Sequence, residues 1–230
     1  MKGRKFVAYF SDTGQMRFAK QKQLVMVWDW PVRVFHWLLV TSFTGAWLTS
    51  ENEAQQMLHY AFGYSACALV VLRLLWGIVG TRYARFSEFV KGPRATFQHI
   101  KSMLAGQTTT ELGHNPAGAL AMVSLMVLTL LIGLTGYWSV KEFLGEWMSE
   151  AHEVFVNLAL VVIVVHVAAA VLMSYLQKEN LVKSMVTGQK KGELAQGIRY
   201  SMKFIGVDLV VAWSSFMYLV VMGAFPTLTQ

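Results

Sequence analysis

The chain has 230 residues, 55% hydrophobic and only 14% charged, with a formal net charge of +7. That balance excludes an ordinary soluble globular domain, and apolar runs of about 20 residues point to membrane spans. The single cysteine, Cys67, excludes an internal disulfide, a cysteine zinc site and a C-x-x-C-H attachment motif, and reads as a small packing residue.

In chain order, residues 1–29 form a basic segment without the apolar core and small-residue cleavage site of a secretory signal. The first span is predicted over 30–49, opened by Asp29 as cap and Pro31 in the first turn. A polar turn, "LTSENEAQQ", leads to the second span, 56–80. Residues 81–116 are the longest non-spanning stretch, with room for short interfacial helices. Gly113 and Pro116 precede the third span, 117–138, in which Gly133 and Gly136 let a neighbour or a flat ligand approach the backbone. The fourth span covers 152–176, a basic linker 177–203, the fifth span 204–225 and a short tail 226–230. Asp208, near one end of the fifth span, is expected to snorkel or to pair with a basic neighbour. The expected fold is an all-α membrane protein: a four-helix bundle over 30–176 plus a fifth, C-terminal transmembrane helix.

Charge sets the orientation. Residues 1–33 carry seven basic against two acidic residues, 81–114 five against two, and 177–203 six against two. The opposite loops are acidic: Glu51 and Glu53 in 50–58, and Glu142, Glu146 and Glu150 against Lys141 in 139–151. The positive-inside rule puts the N-terminus in the cytoplasm and the C-terminus in the periplasm, which agrees with five crossings. Because the basic residues are split among three membrane-flanking segments, nucleic-acid binding is excluded.

The chemistry lies in the histidines. His152 and His166 are fourteen residues apart in an apolar span. At about 100° per residue they share one helix face, separated by about 21 Å along the axis. His36 falls at the inner level with His166, and His59 at the outer level with His152. Two imidazoles at each of two heights suit two bis-histidine haems, whose irons take ligands from opposite faces. Zinc would need three or four converging ligands, and a proton relay would bring intramembrane carboxylates. Arg73, fourteen residues after His59, sits on the same face near the inner level, either pairing with haem propionates or snorkelling. His114 lies in the inner loop; His99, in the same loop, has no ligand role.

The segments "VWDWPVRVFHW", "HYAFGYSACALVVLRLLWGIVGTRYARF", "GHNPAGAL", "AHEVFVNLALVVIVVH" and "ENLVKSMVTGQKK" resemble the bacterial cytochrome b561 family, including the b-type subunit of nickel-iron hydrogenases. The resemblance covers about residues 25–192. It implies two haems b held by His36, His59, His152 and His166 in a bacterial inner-membrane protein. It also implies electron transfer between ubiquinone or menaquinone and a periplasmic partner. A more distant relative, the cytochrome subunit of membrane formate dehydrogenase, has a quinone site with an asparagine just before helix three. Asn115 occupies a similar place, with His114 beside it; the alternative is a helix-entry motif with Gly113 and Pro116.

The leading function is therefore an electron conduit to a protein such as a c-type cytochrome, drawn to the acidic outer loops. The alternatives are a superoxide oxidase that reduces quinone, whose anionic substrate those loops would repel, and the anchor subunit of a hydrogenase-like oxidoreductase complex. A homo-oligomer is compatible with either, and a haem-free transporter is the remote alternative.

Overall fold

The computed structural model describes residues 6–10, 16–20, 22–90, 92–104 and 112–224. The tail 226–230 and the His99 side chain lie outside the described residues. Three strands come first: β1 (Phe6–Phe10), β2 (Met16–Lys20) and β3 (Gln23–Met26). Helices α1 (Trp30–Leu48), α2 (Gln56–Val79), α3 (Phe86–Phe89), α4 (Pro93–Leu104), α5 (Pro116–Val140), α6 (Glu146–Leu176) and α7 (Leu181–Thr187) follow. Strand β4 (Gln189–Gly192) and helix α8 (Lys203–Val221) complete the order.

Local chemistry starts the helices. Asp29 Oδ1 accepts from Val32 N at 2.8 Å ahead of Pro31 in α1, and Asn115 Oδ1 accepts from Gly118 N at 2.7 Å ahead of Pro116 in α5. Asn180 caps α7 in the same way, and Gly188 ends it in the left-handed region with φ +79°. Among the described residues four helical stretches are long and apolar enough to cross a membrane: Glu53–Val79, Pro116–Val140, Glu146–Leu176 and Lys203–Val221. Helix α1 is not among them. Helix α6 starts six residues earlier than expected, so His152 stands inside its second turn, and α8 stops at Val221.

The bundle is built from two helix pairs. Helix α1 packs on α2 and α5 on α6; α2 and α5 join the pairs, and α8 lies on α1 and α2. At the α2–α5 seam a Cβ on Gly133 would come within 2.1 Å of Cys67 Sγ, so glycine permits that approach. On α8, Trp213 Nε1 donates to Ser42 Oγ at 3.0 Å, and Gly206 lies against Trp30.

The all-α expectation is corrected at the basic end of the bundle. Strands β1 and β2 form a hairpin, and β3 pairs antiparallel with β4, with Val25 opposite Lys190. The chain extends this pairing: Val27 and Trp28 both donate to the Gly188 carbonyl, at 2.8 and 3.0 Å, and Ile198 N donates to Met26 O at 2.8 Å. Residues 177–203 are thus a folded part of a cap. Its core holds Val25, Val27, Trp28, Val32, Tyr83 and Ala84. Each fully buried large apolar side chain contributes about 1.5–3 kcal/mol, and β pairing satisfies backbone groups that helices cannot reach.

A candidate haem-binding histidine constellation

The four histidines of the spans arrive on three helices: His36 on α1, His59 on α2, and His152 and His166 on α6. Both pairings cross from the α1–α2 half of the bundle to α6.

At the acidic end, the His59 and His152 ring centroids are 6.3 Å apart, with an interplanar angle of 70°. His59 Nδ1 lies 2.8 Å from the Ala46 carbonyl, and His152 Nδ1 lies 2.9 Å from the Ile132 carbonyl. A carbonyl oxygen only accepts, so each Nδ1 carries the proton and donates. In the neutral imidazole each Nε2 then keeps its lone pair, and each ring is oriented by a neighbouring helix, as a metal-ligating imidazole requires. The spacing also fits one metal between the rings. Two metal–nitrogen bonds of about 2 Å and two nitrogen-to-centroid distances of about 1.1 Å add to about 6.2 Å. Gly136 clears the space, since a Cβ there would stand 3.0 Å from the His152 ring.

At the basic end, His36 lies within electrostatic reach of His166. Its ring meets Trp37 edge-on at 5.0 Å, and its Nδ1 is buried without a hydrogen-bond partner among the described residues. This pair has no carbonyl orienting His36, which separates it from the first.

His114 joins the basic end. Its ring sits between Trp28 and Phe89, with centroids at 4.6 and 4.8 Å. Burial pushes its pKa down to about 3, helped by the charges of Arg73, Lys190, His166 and His36, so the ring is neutral. Arg73 is 2% exposed. Its Nη2 donates to the Ala84 carbonyl at 3.0 Å, while its guanidinium lies over the rings of Phe35 and Phe86 at 5.9 and 5.3 Å. Its Nη1 is buried without a partner among the described residues, and an unsatisfied buried donor of this kind suits an anionic acceptor. Asn115 uses its side-chain oxygen as the α5 cap, as the helix-entry reading anticipates, and only its amide nitrogen is left for a ligand.

Sequence reasoning missed Trp28, Phe89 and Lys190. Trp28 and Lys190 reach His114 through the cap, whose short strands carry no local signature, and Phe89 reaches it from the short helix α3. Among the described residues no group of three or more His, Cys, Asp or Glu converges on a metal-sized site.

The family model of prokaryotic cytochrome b561 matches residues 27–188, a segment that contains all four span histidines. The chain is 24% identical over 217 residues to a protein of Rhizobium leguminosarum bv. viciae named as a probable Ni/Fe-hydrogenase B-type cytochrome subunit, covering 75% of this chain and 91% of that one. A protein of the same name from Azotobacter vinelandii is 26% identical over 220 residues, covering 76% and 91%. The probable Ni/Fe-hydrogenase 1 B-type cytochrome subunit of Escherichia coli is 26% identical over 136 residues, covering 48% and 58%. No solved structure matches the chain. With apolar helices long enough to cross a bilayer and a family match over most of its length, the chain belongs to the prokaryotic cytochrome b561 family and is a membrane b-type cytochrome.

Proposed function

We propose that this cytochrome holds two haems b and passes electrons between a quinone at the basic end and a protein partner at the acidic end. The observation that carries this reading is the His59–His152 pair, 6.3 Å between centroids, with both Nδ1 atoms committed to carbonyls. His36 and His166 hold the second haem. Each haem supplies an iron that takes up and releases one electron. The protein's part is to fix the imidazoles, exclude water and bring two irons within electron-transfer range across one bundle. Arg73 offers Nη1 to a propionate, the pairing that its burial and the unpartnered Nη1 favour.

The quinone site uses the Asn115 amide nitrogen and the neutral His114 ring, near the His36–His166 level. Helix α1 is a fifth crossing: its 19 residues reach about 28 Å at 1.5 Å per residue, close to the hydrocarbon thickness. The basic end then faces the cytoplasm and the acidic end the periplasm of an inner-membrane protein. Two relatives that share about a quarter of their residues with most of this chain are named as probable hydrogenase cytochrome subunits, and they favour a second form of the same reading, in which the partner is an oxidoreductase complex.

A pyridine haemochrome assay on the purified chain tests the proposal, with two haems per chain expected. In redox titrations, His36→Ala and His166→Ala remove one component, and His59→Ala and His152→Ala remove the other. One haem at full occupancy, or His36→Ala and His59→Ala removing the same component, overturns it.

A further inference from the structure

A cleft of about 290 Å³ opens between α1, the end of α7 and α8, away from the histidine pairs. Arg33 supplies its only charge; the rest of the lining is Trp30, Val34, Trp37, Leu38, Val186 and Val210. The cleft is graded along its length. Arg33 lies in the first turn of α1, at the basic end, while Val34 and Leu38 continue along the helix towards the hydrocarbon. Trp30 and Trp37 bring the amphipathic rings that favour the membrane–water boundary.

The guanidinium is held in place. Its Nη2 donates to the Val186 carbonyl, and its plane lies over the Trp30 ring at 5.2 Å. Gly188 makes room for it, since a Cβ there would come within 3.2 Å of Nη1. Its Nε is nevertheless buried without a hydrogen-bond partner among the described residues. A buried charged donor without an acceptor is costly, and the adjoining trough is apolar. An occupant that satisfies both has an anionic oxygen at one end and a hydrocarbon tail at the other. Asp29 acts on Arg33 electrostatically, but its carboxylate is already taken up by Val32, Trp76 and Thr81, and Lys183 on α7 and Lys203 at the start of α8 keep this end basic. Basic pockets between transmembrane helices recruit anionic lipid headgroups in this way.

We propose that this cleft binds one anionic phospholipid, its phosphate held at the Arg33 guanidinium and one acyl chain lying along Val34, Leu38 and Val210. The site needs the chain to be in a membrane; it does not depend on the haem pairing.

Native mass spectrometry of the full-length holoprotein tests it, with phosphatidylglycerol, phosphatidylcholine or soluble glycerol phosphate added at equal concentration. One phosphatidylglycerol is expected to be retained, phosphatidylcholine about tenfold more weakly, and glycerol phosphate not at all. Arg33→Gln lowers phosphatidylglycerol affinity about ten- to a hundredfold, the loss expected for one charge-assisted hydrogen bond. Val210→Trp fills the trough, keeps Arg33 and is expected to abolish retention; it decides the matter even if Arg33→Gln does not fold. Equal retention of the two lipids, retention in Val210→Trp, or displacement by a quinone at lower concentration overturns the proposal. Haem content is read on the same samples, so a fault in the haem assignment shows itself separately.

Discussion

A Cβ at Gly136 would stand 3.0 Å from the His152 ring, whose Nδ1 lies 2.9 Å from the Ile132 carbonyl. Gly136→Ala therefore tilts that imidazole and lengthens the bond that orients it. Because ligand orientation and hydrogen bonding tune a haem's potential, redox titration should show one component shifted and the other unmoved. Asn115 separates two roles by substitution. Asn115→Ala removes the α5 cap and should lower stability by about 1 kcal/mol, whereas Asn115→Ser keeps a capping oxygen. If the amide also serves a quinone, Asn115→Ser loses about 5- to 150-fold in quinone affinity, for a carbonyl left unpaired at about 1–3 kcal/mol, with normal thermal stability. His114 gives a pH signature. Its folded pKa of about 3 lies below the ordinary histidine value of 6.5. Its contribution is complete above the unfolded pKa and is lost as pH falls from there, because the unfolded chain binds a proton that the folded chain refuses. The groups facing it are Arg73 from α2, Lys190 from β4, His166 from α6 and His36 from α1. Unfolding midpoints should drop between pH 7 and 5 more steeply in the wild type than in His114→Phe.

Elements are joined at the basic end by one carboxylate. Asp29, 1% exposed, caps α1 with Oδ1 and accepts at Oδ2 from Trp76 Nε1 at 3.0 Å and Thr81 Oγ1 at 2.7 Å. Asp29→Ala strands all three donors at the junction of α1 with the end of α2 and should cost about 2–4 kcal/mol, measurable as a lower unfolding midpoint. This cap was legible in the sequence, because capping involves residues three positions apart. The long apolar helices and the shared face of His152 and His166 were legible for the same reason: periodicity is local. The β3–β4 sheet was not. Strand β4 reads Gln-Lys-Lys-Gly, with no β-branched or aromatic residue, and its partner is at the far end of the chain. The early start of α6 was missed because Glu146–Glu150 is polar enough to pass for a loop. The cage around His114 followed from the cap and was hidden with it.

Across the whole molecule, charge is divided by end. Glu51, Glu53 and Glu142 lie in the connections, and Glu146 and Glu150 in the first turns of α6, near the His59–His152 level. If the proposed partner is a basic electron-transfer protein, it is attracted there over a range that salt limits to about 8 Å at physiological ionic strength. Its second-order rate, measured by stopped flow, should fall as salt rises. Replacing Glu142, Glu146 and Glu150 with Gln should flatten that dependence while leaving the haem spectrum unchanged. A rate that climbs with salt, or ignores both salt and the substitutions, rules out acidic docking.

The β3–β4 pairing also fixes an order of events during synthesis. Val25 emerges early, and its partner Lys190 is made only 165 positions later, after α1, α2, α5 and α6. Contacts this distant in sequence form late. Through most of translation, therefore, the cap that places Trp28 and Lys190 beside His114 is unassembled. The two strands act as a latch that can shut only when α6, the helix that carries His152 and His166, is complete, so an unfinished polypeptide cannot imitate the closed form.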